Sequence, residues 1–339
     1  MISLSESKDA VKLCDLVTGS RKRQPVFYVE DEDESRLNNA DTRQLLGGHL
    51  PVLKSKLRVN QEHLDEALDV LAGDREPSPE RHAGVHKAFW KMREMKHELL
   101  SREMDIRSEK DQRFEINFPK KIDGFFGHMA VLGPTGSGKG WWITDLIKRM
   151  WQNTTFLQRR KVYYISAEAT IDKTLDRLRI KKYQDWFYPI DVSYEAGEAS
   201  GMAPADFWAE KVAGTLAEVR NAVVVLDDVQ DSYGDTGSVI STQNRLLRIG
   251  RHRNLSVVSV FHSIKNGPWT RQLTQSASFL VLFAKAQQGR VRDFFFEALG
   301  MPRREALELT KHIQKCGRAS IIRTSAPVTL ICEKYLKLI

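Results

Sequence analysis

Residues Gly133-Pro134-Thr135-Gly136-Ser137-Gly138-Lys139-Gly140 have the GxxxxGK spacing of a loop that cradles a triphosphate. Gly133, Gly136 and Gly138 let backbone N–H groups turn inward to phosphate oxygens, where any Cβ would collide. Lys139 supplies a point charge for the β and γ phosphates. The position after the lysine ordinarily offers a hydroxyl to Mg²⁺, and Gly140 has no side chain with which to do so. The spacing therefore predicts binding of a nucleoside triphosphate, with Mg²⁺ resting on water and on a carboxylate from elsewhere in the chain.

Ala222-Val223-Val224-Val225-Leu226-Asp227-Asp228 offers such a carboxylate, an apolar strand ending in two adjacent acids. Asp227 suits the water shell of the metal, and Asp228 suits the attacking water. Glutamate is commoner at the second position in motor ATPases. Aspartate is one methylene shorter and demands a closer approach of water or backbone. The same pair also suits the N-cap of a helix after a buried strand, and capping and metal binding can coexist.

A phosphate loop needs a strand before it and a helix after it. His128–Leu132 reads as a short buried strand, and Trp142, Ile143, Leu146, Ile147 and Met150 recur at the helical period. Further strands are expected at Val162–Ser166, Ala222–Leu226, Ser256–Phe261 and Phe279–Phe283, with helices between most of them. One of these helices opens at Pro204 and turns Trp208, Val212, Leu216 and Val219 inward. This alternation predicts an α/β fold with a mainly parallel central sheet. A helix over Arg303–Gln314 precedes an expected C-terminal hairpin, Ala319–Arg323 and Val328–Cys332, around Pro327.

The N-terminal third reads differently. Residues 1–58 look irregular and partly disordered, with Arg21-Lys22-Arg23, the acidic run Glu30-Asp31-Glu32-Asp33-Glu34, and Gly47-Gly48 before Pro51. Leu64, Leu68 and Leu71 share one face of an expected helix over Gln61–Leu71 that stops near Gly73. A longer helix is expected from Glu80 to Lys110, where Val85, Met92, Leu99 and Ile106 stand seven apart. Glu98 to Arg102 and Glu103 to Arg107 are favourable pairs on it. Its apolar stripe suits the main core, the earlier helix or another protein. His82 and His86 lie one helical turn apart, with no third metal ligand evident.

With 339 residues and 41% hydrophobic composition the chain can bury a large core, and no apolar run approaches the ~20 residues of a membrane span. An intracellular protein without a membrane span is expected. Cys14, Cys316 and Cys332 are too far apart for a zinc or redox pair and read as reduced packing residues. Residues 1–120 carry 21 Lys and Arg against 23 Asp and Glu, so the overall charge of +8 belongs to the nucleotide-binding part. Residues 241–304 alone hold eleven basic residues against Asp293 and Glu297, an excess suited to phosphate neutralisation or to a solvated face.

Asn244-Arg245-Leu246-Leu247-Arg248-Ile249-Gly250-Arg251-His252-Arg253-Asn254 leads into Ser256-Val257-Val258-Ser259-Val260-Phe261. A strand ending in two acids, a helix, a Gly-Arg-His turn and a Ser-Val strand, in this order, resembles the FtsK/HerA superfamily of DNA-pumping P-loop ATPases, which are RecA/ASCE-like. Within it, the chain most resembles the genome-packaging ATPases of double-jelly-roll DNA viruses of the poxvirus, giant-virus, virophage and tailless-phage type. The resemblance covers about residues 122–335 and continues through Trp269-Thr270-Arg271-Gln272-Leu273, Ser276 and Val281-Leu282-Phe283-Ala284-Lys285. It divides the chain into an N-terminal extension, 1–113, and a P-loop ATPase motor domain, 114–339.

The resemblance implies a homo-oligomeric ring in which an arginine of one subunit reaches the γ-phosphate held by its neighbour, Arg251 first and Arg248 second. It implies double-stranded DNA as the track, a capsid or inner-membrane virion protein as partner, and residence in the host cell cytoplasm, the virion or both. Gly140 and Asp228 depart from the family pattern, and so does Phe261-His262-Ser263, where a glutamine sensor is expected. His262 can donate a hydrogen bond to the γ-phosphate or the lytic water, or serve the structure alone. Lys265, Asn266, Trp269 and Arg271 are the expected pore-facing group on DNA. The expected function is an ATP-driven translocase that packages viral double-stranded DNA into a preformed capsid. Alternatives are an ATPase of filamentous-phage assembly or conjugation, or a nucleotide-binding scaffold that hydrolyses poorly.

Overall fold

The computed structural model describes residues 2–3, 10–19, 22–28, 42–43, 46–73, 75–103, 105–116, 118, 124–169, 171–263, 273, 275–283, 288–298, 300–315, 317–325 and 328–338. The chain packs as two units. One comprises residues 1–13, 24–107 and 338; the other comprises 14–23, 108–337 and 339.

Part of the N-terminal stretch that reads as irregular is strand: β1 (Ile2–Ser3), β2 (Val11–Val17) and β3 (Arg23–Tyr28). β1 pairs antiparallel with β3, Ile2 opposite Tyr28. The short apolar stretch that follows Pro25, Val26-Phe27-Tyr28, is too brief for a period to declare itself. Helix α1 (Leu50–Leu57) precedes α2 (Gln61–Ala72), which Asn60 caps by accepting from the His63 N–H at 2.8 Å. Helix α3 covers Ala83–Glu103, shorter at both ends than the expected Glu80–Lys110, and β4 (Asp105–Arg107) follows it. His82 Nδ1 accepts from the Gly84 N–H at 3.0 Å, which starts the helix three residues late. Val85, Phe89 and Met92 of α3 are buried in one cluster with Leu64, Leu68 and Leu71 of α2 and Leu53 of α1, so the earlier helix receives the stripe. The side chains of Leu99, Ile106, Glu98, Arg102 and Glu103 lie outside the described residues, as does the acidic run 30–34. His82 stacks on His63 at 4.2 Å, and His86 Nε2 lies 3.0 Å from the Ser78 carbonyl oxygen.

The second unit starts with the end of β2, which pairs antiparallel with β5 (Arg113–Glu115), Asp15 opposite Glu115. Its remaining elements follow in the order β6 (His128–Leu132), α4 (Lys139–Gln152), β7 (Lys161–Ser166), β8 (Phe187–Asp191), α5 (Tyr194–Ser200), α6 (Pro204–Trp208), β9 (Ala222–Asp227), α7 (Thr236–Arg253), β10 (Ser256–Phe261) and β11 (Ala277–Leu282), with the five expected strands among them. Then come α8 (Gln288–Ala298), α9 (Arg303–Lys315), β12 (Ser320–Arg323), β13 (Thr329–Cys332) and β14 (Tyr335–Leu338). The large sheet runs β14-β13-β12-β11-β6-β10-β9-β7-β8 in space. From β11 to β8 every pairing is parallel, and β12 and β13 close the other side as an antiparallel hairpin. Pro327 lies outside the described residues.

All residues of β6 and β10 are buried, which is why these strands read as continuous apolar runs rather than alternating ones. β8 escaped the sequence reading because Pro189 interrupts it, and it stands at a sheet edge where proline is tolerated. Beyond α6 the helix widens over Ala209–Gly214, and Trp208, Val212 and Leu216 are buried in the main core as the spacing requires, while Val219 packs against it partly buried. Cys14 and Cys332 are free and buried, and Cys316 lies outside the described residues.

Candidate functional site

Parallel pairing brings the carboxyl ends of β6, β9 and β10 to one edge, where an open α/β sheet binds its ligands. β10 stands between β6 and β9, so the loop after β6 and the acids after β9 flank the end of β10. Leu132 is opposite Phe261, and Asp227 is opposite Val260 and Ser166. The Gly133 N–H donates to the Phe261 carbonyl at 3.1 Å, which fixes where the loop leaves the sheet.

Gly136 and Gly138 adopt φ of +72° and +98°, a region that residues with a Cβ enter at a cost. A Cβ on Gly133 would stand 2.5 Å from the Phe283 Cβ. On Gly138 it would stand 3.0 Å from a guanidinium nitrogen of Arg318, which brings a cation to the loop that no sequence motif marks. α4 begins at Lys139, so its unpaired N–H groups lie at the loop. At its far end Arg149 ties the helix to β5, donating to Glu115 at 2.7 Å. Burial pushes the Glu115 carboxyl up, but Arg149, Arg113 and Arg23 together hold it below the usual range.

Lys139 is only 6% exposed. Its Nζ donates to the Gly133 and Pro134 carbonyls at 2.8 and 3.2 Å and to His262 Nδ1 at 3.0 Å. Burial lowers its pKa against the opposing pull of Asp228 and Asp227. An ammonium has no lone pair, so His262 must accept at Nδ1 and carry its proton on Nε2. Nε2 donates to Asp228 Oδ2 at 2.8 Å. Thr135 Oγ1 also reaches Nδ1, at 3.1 Å. Burial first, and then the Lys139 charge, hold His262 below the ordinary histidine range, in keeping with a neutral ring.

Asp228 has a left-handed backbone, φ +49° and ψ +36°, which aspartate tolerates better than most residues. It precedes the short turn Val229–Asp231 but makes no side-chain capping bond to it, so capping alone does not account for the residue. Its carboxyl is raised to about 6 by burial, with Lys139 opposing and Asp231 and Glu168 adding to the rise. Asp227 Oδ2 accepts from the Tyr164 hydroxyl at 2.5 Å. Asp227 as a residue is only partly buried, yet its carboxyl is bonded to the fully buried Tyr164, and that environment governs its titration. Burial raises it to about 6; Asp228 and Asp172 push the same way, and the Tyr164 bond and Lys139 push against. Tyr164 itself is driven well above the usual phenol range by burial and then by Asp227. Nothing in the Val162–Ser166 pattern tells which tyrosine faces the acids.

The expected arginines lie on α7. Gly250-Arg251-His252 is not a turn but the last turn of α7, and the chain reverses at Asn254, φ +53°. A Cβ on Gly250 would meet His128 at 2.4 Å, and His128 opens β6 at the end opposite the phosphate loop. Arg248 and Arg251 are exposed on that helix, flanking the Gly250 that packs against His128. Lys265, Asn266, Trp269 and Arg271 lie outside the described residues.

The residues present fit a nucleotide with its cation. The loop glycines keep side chains out of the cradle, and Ser137 Oγ and Asp228 Oδ1 are buried with no hydrogen-bond partner among the described residues. Asp227 carries a carboxylate to the same edge.

No protein-family model and no curated protein matches the chain. Solved structures do. The genome-packaging NTPase B204 from Sulfolobus turreted icosahedral virus 2, in complex with sulfate, is 11% identical with a TM-score of 0.40, over 63% of this chain and 97% of that one. Its complex with ATP-gammaS is 13% identical with a TM-score of 0.38, over 61% and 97%. The pCW3 conjugation coupling protein TcpA with ATPgS is 11% identical with a TM-score of 0.36, over 68% and 66%. At this distance the assignment rests on the chain's own geometry. A glycine loop between β6 and α4, a buried lysine, and a parallel sheet with β10 inserted beside the acid-bearing β9 give the second unit the fold of a P-loop NTPase.

Proposed function

We propose that the chain is an ATP-hydrolysing DNA translocase that packages viral double-stranded DNA into a preformed capsid. The observation that carries the ATPase reading is the hydrogen-bonded line from Lys139 Nζ through His262 to the Asp228 carboxylate. The DNA reading is supported by the order of motifs from Asp227 onward and by the basic face of α7. There Arg245, Arg248 and His252 are exposed at helical spacing, with Arg251 beside them.

A γ-phosphate draws Lys139 Nζ from the loop carbonyls, because a phosphate oxygen is the stronger acceptor for an ammonium. His262 Nδ1 then exchanges the Lys139 donor for the Thr135 hydroxyl within its reach, and the ring keeps Asp228 oriented through Nε2. Asp228, with a carboxyl near 6, is ionised at neutral pH and close enough to neutrality to accept a proton from the attacking water. Mg²⁺, when bound, neutralises phosphate charge, and Asp227 is the residue that would hold its water shell. Arg251, or Arg248 next, acts on the site of the neighbouring subunit in a ring. The partner is a capsid or inner-membrane virion protein, and the protein works in the host cytoplasm, the virion or both.

Steady-state ATPase activity with and without duplex DNA, on wild type, Lys139→Ala and Arg251→Ala, tests this reading. DNA-stimulated turnover should be lost in both variants and partly recovered when they are mixed. A wild type that binds ATP without turnover would replace the motor with a nucleotide-binding scaffold, the reading that Gly140 favours.

A further inference from the structure

Gly140 lacks the hydroxyl that its position ordinarily gives the cation, yet the space beside it holds one from another part of the chain. A Cβ at Gly140 would stand 3.3 Å from Thr174 Oγ1 and 3.8 Å from Asp172 Oδ2. We propose that Thr174, with Asp172 behind it, replaces the missing loop hydroxyl as the protein's oxygen ligand for Mg²⁺ at the nucleotide site. The inference rests on the ATPase reading above and names residues that the loop motif does not contain.

The local bonding suits a ligand. Thr174 Oγ1 donates to Asp172 Oδ2 at 2.6 Å, and the Thr174 N–H donates to Asp172 Oδ1 at 2.7 Å. The hydroxyl proton is thereby taken up, and its lone pairs remain for a cation. Capping the turn Lys173–Arg177 needs only Oδ1; the second bond serves the hydroxyl. The turn is anchored to α4, with Arg177 3.7 Å from Asp145 and 4.8 Å over the Trp141 ring. The glycine follows from the same arrangement, since a side chain at 140 would crowd Thr174. No group of three His, Cys, Asp or Glu forms a preformed cage among the described residues. Mg²⁺ does not require one, because it keeps several waters and takes phosphate oxygens beside one or two protein ligands.

Mn²⁺ binding followed by electron paramagnetic resonance, in the presence of a non-hydrolysable ATP analogue, tests the assignment. Thr174→Val and Asp172→Asn should each weaken Mn²⁺ by about tenfold or more, with analogue affinity in EDTA unchanged. Thr174→Ser, which keeps the hydroxyl, should match wild type, and Gly140→Ser in a Thr174→Ala background should restore Mn²⁺ affinity. Wild-type Mn²⁺ affinity in both Thr174→Val and Asp172→Asn overturns the inference. So does an equal loss of analogue affinity with and without the cation, which marks a structural role. Failure of the wild type to bind the analogue at all defeats the ATPase reading itself.

Discussion

Replacing Asp227 with asparagine should make the ligand-free protein more stable at neutral pH while removing its cation-dependent nucleotide binding. The carboxyl titrates at about 6 in the folded chain against an ordinary value of 3.8, chiefly because it is buried. A folded pKa above the unfolded one means that ionisation penalises the folded state. The penalty is complete above pH 6 and disappears as pH falls from about 6 to 3.8. Two pKa units correspond to about 3 kcal/mol at pH 7.5, a figure that already includes the Tyr164 bond and the attraction of Lys139. Asparagine mimics the neutral acid in shape and still accepts from Tyr164. Urea unfolding without nucleotide should therefore show a gain of order 2–3 kcal/mol for Asp227→Asn at pH 7.5, shrinking towards zero near pH 4. A variant less stable than wild type at pH 7.5, or a difference that ignores pH, would refute the argument that this carboxylate is held at a cost for binding.

Tyr164→Phe removes the hydroxyl that lowers the Asp227 pKa. It should raise that pKa above about 6 and cost about 1.5–3 kcal/mol at pH 7.5, read by carboxyl NMR and urea unfolding; an unmoved carboxyl would show that the short bond contributes nothing. His128 accepts from the Val257 N–H at Nδ1 and donates from Nε2 to the Leu247 carbonyl, and burial keeps its pKa below 6.5 despite that carbonyl. Its contribution is present above pH 6.5 and is lost as pH falls through the lower folded value, by up to ~1.4 kcal/mol per unit. His128→Phe should flatten that limb of the stability curve, and an unchanged slope between pH 6.5 and 5 counts against it. Gly250→Ala should destabilise by about 1–3 kcal/mol although alanine favours helices, because its Cβ would meet the His128 ring at 2.4 Å and the Leu255 carbonyl at 2.7 Å. A neutral or stabilising result in thermal unfolding would mean that the two elements separate freely.

The parallel core was legible because strands buried on both faces must be continuously apolar, as His128–Leu132 and Ser256–Phe261 are. Helix α2 was legible from its leucine face and its stop at Gly73, and α3 only in its middle, because a local bond to His82 shifts its start. The early strand around Leu13 was hidden, since a partner far along the chain, Phe114 opposite Leu16, creates its pairing. The expected Gly-Arg-His turn misread a glycine that serves helix packing against His128 rather than a reversal.

By itself the sequence determined the phosphate loop, its lysine, the acid pair and the alternation of strands and helices, because each is a local requirement of backbone geometry or charge. Only the tertiary structure decided what surrounds them. Tyr164 beneath Asp227, His262 between Lys139 and Asp228, Arg318 against Gly138, and Thr174 beside Gly140 come from strands and turns far apart in the chain. Parallel register and β10 inserted between β6 and β9 bring them to one edge, and no periodicity along the chain records which residues will meet there.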